Sequence, residues 1–254
     1  MKMLWLRLKN MFYLLHLKRR DLPPSILEYL RGFLDLDYKK PVSKIEYVVL
    51  DTETTGFNVK KGHRIVSLSA IRLKEGRIDL ADTFHTLVNP GRDIPGEAAV
   101  IHEILPRMVE DKSSLEKILP DFIGYIGAAV LVGHHAWVDL SFLNQEMMRL
   151  YGFPLQNMVV DTAVLDQALM GGKTSGATKG RVRTDSRLSA LAERYHVPLE
   201  ERHSSFADAL TTAQIFQVML KHFQRYGLRS LKDLLRLAFT PPSFRISPSG
   251  PPSA

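Results

Sequence analysis

Ile45-Glu46-Tyr47-Val48-Val49-Leu50-Asp51-Thr52-Glu53-Thr54-Thr55-Gly56 runs from a short apolar segment straight into two acids separated by one residue. The apolar part, rich in β-branched and aromatic side chains, predicts a buried strand over Ile45–Leu50 that ends on Asp51. In extended backbone, side chains two apart share a face, so the Asp51 and Glu53 carboxylates converge. Converging carboxylates repel one another, and a divalent cation removes that penalty. On these residues alone, a plain acidic strand end followed by a Thr-Thr-Gly turn stays open as the alternative.

Outward from this stretch, two apolar runs, Ile65–Leu73 and Ile78–Val88, flank Lys74-Glu75-Gly76-Arg77 and predict a hairpin with Gly76 in the turn. Helices are expected over Ser114–Ile126, Asp139–Tyr151, Thr162–Met170, Arg187–Tyr195, Ser205–Phe223 and Ser230–Phe239, with short strands at Val130–Val132 and Met158–Val160. Phe142, Leu143, Met147 and Leu150 recur at helical spacing and read as core. A hairpin followed by strands alternating with helices predicts an α/β domain with a mixed sheet. The resulting division is a basic amphipathic helical leader over residues 1–43, a main domain over 44–223, a C-terminal helix over 224–239 and a Pro-rich tail over 240–254. Residues 171–186 hold turn-formers and charges without apolar period and read as a mobile loop; the basic stretch Gly171–Arg187 suits guiding a phosphate backbone, with surface solubility as the equal alternative.

The chain has no cysteine, which excludes disulfides, thiolate zinc sites and a cysteine nucleophile, and leaves oxygen and imidazole as metal ligands. Of the net charge of +7, residues 1–20 carry +6 through Lys2, Arg7, Lys9, Lys18, Arg19 and Arg20, leaving +1 for everything else. Lys173, Lys179, Arg181, Arg183 and Arg187 against Asp185 more than take up that remainder, so the rest of the body is mildly acidic and suits a cation site, while the basic segments suit an anionic partner. Arg7, Lys9 and His16 interrupt the apolar leader before it reaches the ~20 residues that cross a bilayer. The expectation is a cytoplasmic protein without membrane insertion. Leu4, Leu8, Phe12 and Leu15 fall at helical spacing, so the leader has an apolar face. That face can dock on the protein's own domain, on a partner protein through residues 1–20, or on an anionic membrane surface; self-docking is the first expectation. The acids of the main domain are not expected to need these residues, so a chain beginning at Ser43 is expected to keep the domain's chemistry.

Two further pieces stand at turns into helices: Gly133-His134-His135-Ala136-Trp137-Val138-Asp139, and His203-Ser204-Ser205-Phe206-Ala207-Asp208. Together with Asp51-Thr52-Glu53, in this order and spacing, they resemble the DnaQ-like exonucleases of the DEDDh type, whose proofreading member is the epsilon subunit of bacterial DNA polymerase III. The resemblance covers roughly residues 44–223. It implies a ribonuclease H-like fold, a five-stranded mixed sheet flanked by helices. It also implies that Asp51, Glu53, Asp139 and Asp208 bind metal and that His203 is the catalytic histidine. The segment Pro95–Val109, with His102 and Ile104, is similar to the family's segment after the third strand. Three positions depart from the pattern. His135 stands where the family usually has Asn, Val138 where it has an aromatic residue, and Glu103 where Gly is common. These departures bear on substrate contacts more than on metal binding.

The implied reaction is hydrolysis of the 3′-terminal phosphodiester with two divalent ions about 3.5 to 4 Å apart. Oxygen donors suit Mg²⁺ or Mn²⁺. His203 is the expected general base, since imidazole titrates near neutral pH. The backbone of Thr54, Thr55 and Gly56 is expected to approach the terminal nucleotide, with His134 as a further substrate contact. Asp161 reads as a helix cap rather than a fifth ligand. His102 is equally a structural histidine or a nucleotide contact, and the His134-His135 pair lacks a second cluster with zinc spacing. The substrate expectation is single-stranded nucleic acid, DNA before RNA, in proofreading or repair, with release of nucleoside 5′-monophosphates. The rival readings are an RNA-trimming exoribonuclease of the same family and an inactive nucleic-acid-binding protein.

Overall fold

A computed structural model describes residues 8–14, 22–34, 37, 39–171, 185–199, 204–225, 227 and 229–240. Among them, helix α1 covers residues 8–14. The other elements in chain order are α2 (Pro24–Gly32), β1 (Tyr47–Thr54), β2 (Ile65–Lys74), β3 (Arg77–Leu87), α3 (Gly96–His102), α4 (Pro106–Val109), α5 (Leu115–Ile126), β4 (Val130–Gly133), α6 (Trp137–Tyr151), β5 (Val159–Asp161), α7 (Thr162–Gly171), α8 (Leu188–Arg194), α9 (Ser205–Arg225), α10 (Leu231–Ala238) and β6 (Phe239–Thr240).

The strands form one sheet in the order β3-β2-β1-β4-β5-β6. β2 runs antiparallel to both of its neighbours, β1 and β3, while β1, β4 and β5 run parallel. This is the mixed five-stranded ribonuclease H-like sheet, extended at one edge by the two-residue β6, which lies antiparallel to β5. The hairpin turns at Glu75 and Gly76, whose φ angles of 50° and 73° suit a tight two-residue connection.

Alternation along β1 assigns the two faces. Tyr47 and Val49 point into a core shared with α7, α8, α9 and α10, and Val48 and Leu50 into one shared with α2, α5 and α6. All four are at most 1% exposed, so each contributes roughly 1.5 to 3 kcal/mol by burial. α9 packs Ala209, Thr212, Ala213, Phe216, Met219, Leu220 and Phe223 inward at helical spacing, with Phe216 edge-on to Tyr47 at 4.9 Å. By the same parity, Asp51 and Glu53 fall on the α9 face of the sheet.

β1 continues past Asp51 to Thr54, paired with β2 throughout, so both acids sit within the strand rather than beyond its end. The leader is also more deeply engaged than its sequence suggests. α2 packs on α5 and buries Ile26, Tyr29 and Leu30 in the main core, joined by Phe33 just past its end. Its Tyr29 hydroxyl donates to Asn157 Oδ1 and accepts from the Gln156 amide, both at 2.6 Å. The boundary drawn at residue 43 therefore runs through one continuous core. At the other end, α10 buries Leu231, Leu234 and Leu235. The Val42 amide donates to the Arg229 carbonyl at 2.9 Å, and the Leu231 amide to that of Lys40 at 3.0 Å.

α1 docks on the domain, as the self-docking expectation has it, but through a different face. Tyr13 stacks on Phe153 at 5.0 Å and Leu14 packs on the same core, whereas Leu8 and Phe12 are about half exposed. Leu4 and Leu15 lie outside the described residues. No described helix is long and apolar enough to cross a membrane.

Candidate active site

Three acids meet at the end of the sheet and a fourth stands beside them, delivered by three elements. β1 supplies Asp51 and Glu53 through its two-residue period. The first turn of α9 supplies Asp208, and one oxygen from each of these three carboxylates lies within 4.8 Å of the others. Asp139, buried in the first turn of α6, comes from the opposite layer. Its Oδ1 accepts the Thr52 hydroxyl at 2.6 Å, so the residue between the two β1 acids orients the fourth.

Crowding and burial set the protonation of these groups. Asp51 is held well above the usual carboxylate range, first by desolvation and then by the charges of Asp139, Glu53 and Asp208. Desolvation, followed by Asp208 and Asp139, pushes Glu53 up to about 8. Burial raises Asp139 to about 7, although the Thr52 hydroxyl and nearby amides favour its charged form. An all-oxygen cluster that resists ionisation in this way fits a hard divalent cation, whose charge replaces the missing counter-ions.

The turn from β4 into α6 is built to deliver Asp139. A Cβ on Gly133 would lie 2.8 Å from the Ala136 Cβ, so only glycine allows the chain to double back there. Asp161, at the end of β5, accepts the amides of His135 (3.3 Å), Ala136 (3.1 Å) and Ala163 (2.9 Å). It thereby caps the starts of α6 and α7 together, which agrees with the capping role and leaves its oxygens engaged. His134 turns inward: Nδ1 is 2.9 Å from the Thr162 hydroxyl, and burial pushes the imidazole down to about 4.

At the far end of β1, Thr54 Oγ1 bonds the Gly56 carbonyl at 3.1 Å. Thr55 is buried, with its amide on the Arg64 carbonyl at 2.8 Å and its hydroxyl against His63 Nδ1 at 3.2 Å. Gly56 has φ 145°, and a Cβ there would lie 2.6 Å from the His63 ring. The missing side chain is thus needed by His63, a residue with no motif to mark it in the sequence. His102 is buried, and its Nδ1 accepts the Ile104 amide at 3.1 Å across Glu103. Its ring also faces the Thr54 backbone, with Nε2 left without a hydrogen-bond partner among the described residues.

Two of the three departures from the family pattern acquire a backbone reason. Glu103 has φ 58° and His135 has φ 53°. Both are left-handed positions, which Gly and Asn adopt at less cost than other residues. His203 lies outside the described residues, as do Lys173, Lys179, Arg181 and Arg183 of the basic loop. Asp185 and Arg187 at the loop's return form an ion pair at 2.5 Å.

The exonuclease family model RNase_T matches residues 48–216, more than half of the chain. The DNA polymerase III subunit epsilon-like protein of Rhodobacter capsulatus is 34% identical over 197 residues, covering 77% of this chain but only 26% of that protein. The chain thus spans about a quarter of that relative's length. DNA polymerase III subunit epsilon of Rickettsia conorii is 31% identical over 181 residues, which cover 69% of this chain and 74% of that subunit. Among solved structures, the nuclease domain of 3′hExo, described as a DEDDh family member bound to rAMP, superposes with a TM-score of 0.58 at 16% identity, covering 80% of this chain and 99% of that one. At that identity the likeness is one of fold. With its acids gathered on this sheet and the family model lying across them, the chain belongs to the exonuclease family, in the group of the DNA polymerase III epsilon subunits.

Proposed function

We propose that this protein is a metal-dependent 3′-to-5′ exonuclease that shortens single-stranded DNA and releases nucleoside 5′-monophosphates, in proofreading or repair. The observation that carries the reading is the meeting of Asp51, Glu53 and Asp208 within 4.8 Å, with Asp139 buried beside them. What a divalent cation, Mg²⁺ or Mn²⁺ and two per site, supplies when bound is a water of lowered pKa and counter-charge for the leaving 3′ oxygen. Asp51, Glu53, Asp139 and Asp208 hold it, and Thr52 fixes the Asp139 carboxyl through its hydroxyl. His203 takes the proton of the attacking water, a role assigned from the family pattern. The backbone from Thr54 to Gly56 faces the terminal nucleotide. His134, neutral and turned toward Thr162, acts on the substrate through the turn it supports rather than through charge.

DNA comes before RNA because the sequence relatives are DNA polymerase III subunits. The ribonucleotide-bound neighbour resembles this chain only in fold. Discrimination between the two requires contacts to the sugar 2′-hydroxyl. Matched DNA and RNA oligonucleotides carrying a 5′ label test the assignment. Faster stepwise shortening of the DNA supports it, and preferential shortening of the RNA overturns it in favour of the exoribonuclease reading. Binding of both without shortening of either would identify an inactive binding protein.

A further inference from the structure

Behind the acids lies a buried polar cluster that the proposed chemistry leaves unused. Ser205 Oγ, in the first turn of α9, is 2.6 Å from Ser67 Oγ and 2.7 Å from Ser69 Oγ, both on β2. Ser69 Oγ is also 2.7 Å from His85 Nδ1 on β3. The three serines are at most 2% exposed, in a layer where alanine would pack without any polar group to satisfy.

Their register connects them to the site. Ser69 is the ladder partner of Asp51 on one side and of His85 on the other, and Ser67 is the partner of Glu53. Directly opposed residues share a face of the sheet with Cβ atoms about 4.5 to 5.5 Å apart. The two serines therefore stand beside the two β1 acids, facing α9. Asp208 follows Ser205 by three residues and so lies on the same side of α9, one turn along.

We propose that the Ser67–Ser69–Ser205 cluster, backed by His85, is a positioning device that sets Asp208 against Asp51 and Glu53. Apolar packing alone sets no directional constraint on a helix, whereas hydrogen bonds between the Ser205 hydroxyl and two fixed strand hydroxyls, one donated and one accepted, favour a single register. His85 closes the row from behind, with the Phe206 ring edge-on to it at 5.8 Å. Ser67, Ser69 and Ser205 touch neither substrate nor ion; they act through the spacing of the carboxylates.

This rests on the reading of the acids as a metal site, and direct titration of the full chain with Mn²⁺ separates the two. Ser205→Ala should bind Mn²⁺ roughly tenfold more weakly than the parent, the lower range for losing a group that orients metal ligands. Thr212→Ala removes a buried hydroxyl elsewhere on α9 and is the control. It should lose comparable thermal stability with Mn²⁺ affinity unchanged. Ser69→Ala carries the same expectation as Ser205→Ala should the latter not fold. Parent-like Mn²⁺ affinity in the folded serine variants, or equal weakening in Thr212→Ala, overturns the positioning role while leaving the metal reading in place. A parent that binds no Mn²⁺ overturns both.

Discussion

Glu53 at about 8 and Asp139 at about 7 hold protons in the folded protein that the unfolded chain releases above about pH 4. The folded state binds the extra protons, so without metal, stability falls as pH rises from about 4 through about 8, and these two groups add no further loss beyond. The melting temperature in chelator should decline across that window, and saturating Mg²⁺ should flatten the decline, because the cation favours the ionised acids. A chelated protein whose melting temperature is level or rising there would contradict the account. At the upper end of the window, Glu53→Gln should melt higher than the parent in chelator while losing hydrolysis by more than about a hundredfold. Higher activity with lower stability would be the wrong sign on both counts. For His203→Ala, a rate loss of about 10² to 10⁴-fold with Mn²⁺ affinity retained is expected from removal of a general base; an unchanged pH–rate profile would take His203 out of that role.

At the scale of elements, the hairpin, α6 and α9 were legible because turn chemistry and apolar period agree along Lys74–Arg77, Phe142–Leu150 and Ala209–Phe223. The continuation of β1 through Asp51-Thr52-Glu53-Thr54 was not, since acids have little strand preference and only the ladder to β2 imposes it. The serine cluster was equally hidden: nothing local in Ser67, Ser69 or Ser205 shows that they meet. Glu103 and His135 are visible in the sequence as departures bearing on substrate contacts, but their backbone reason is not, because a positive φ cannot be seen in a residue name. Their backbone reading is testable. Glu103→Gly and His135→Asn should each leave activity intact and raise stability by roughly 0.5 to 1 kcal/mol, measured by denaturant unfolding. A loss of stability in both would remove the strain argument. Gly56→Ala should do the opposite, costing about 1 to 3 kcal/mol, because it adds strain at φ 145° and displaces His63 from Thr55.

Over the whole molecule, both described ends of the chain close onto the nuclease core. α2 fills the layer beneath α5, and α10 meets the segment from Lys40 to Val42. A chain beginning at Ser43 loses the four buried apolar side chains of Ile26, Tyr29, Leu30 and Phe33 and strands the polar partners of Tyr29. At roughly 1.5 to 3 kcal/mol for each side chain, this approaches the whole stability margin of a domain. The expectation that cleavage survives that truncation is therefore revised. A chain from Leu22 should melt cooperatively and cleave, and one from Ser43 should fail to melt cooperatively. The four-acid site is itself a property of the assembled molecule, since β1, α6 and α9 contribute from both layers of the sheet. Its most direct test is the shortening of a 5′-labelled single-stranded DNA by the full chain, with Mg²⁺ titrated against chelator for the parent and for Asp208→Asn. The account predicts a ladder of products descending from the 3′ end that requires Mg²⁺ and is lost in Asp208→Asn. An undiminished ladder in chelator, or from the Asp208→Asn protein, would contradict it.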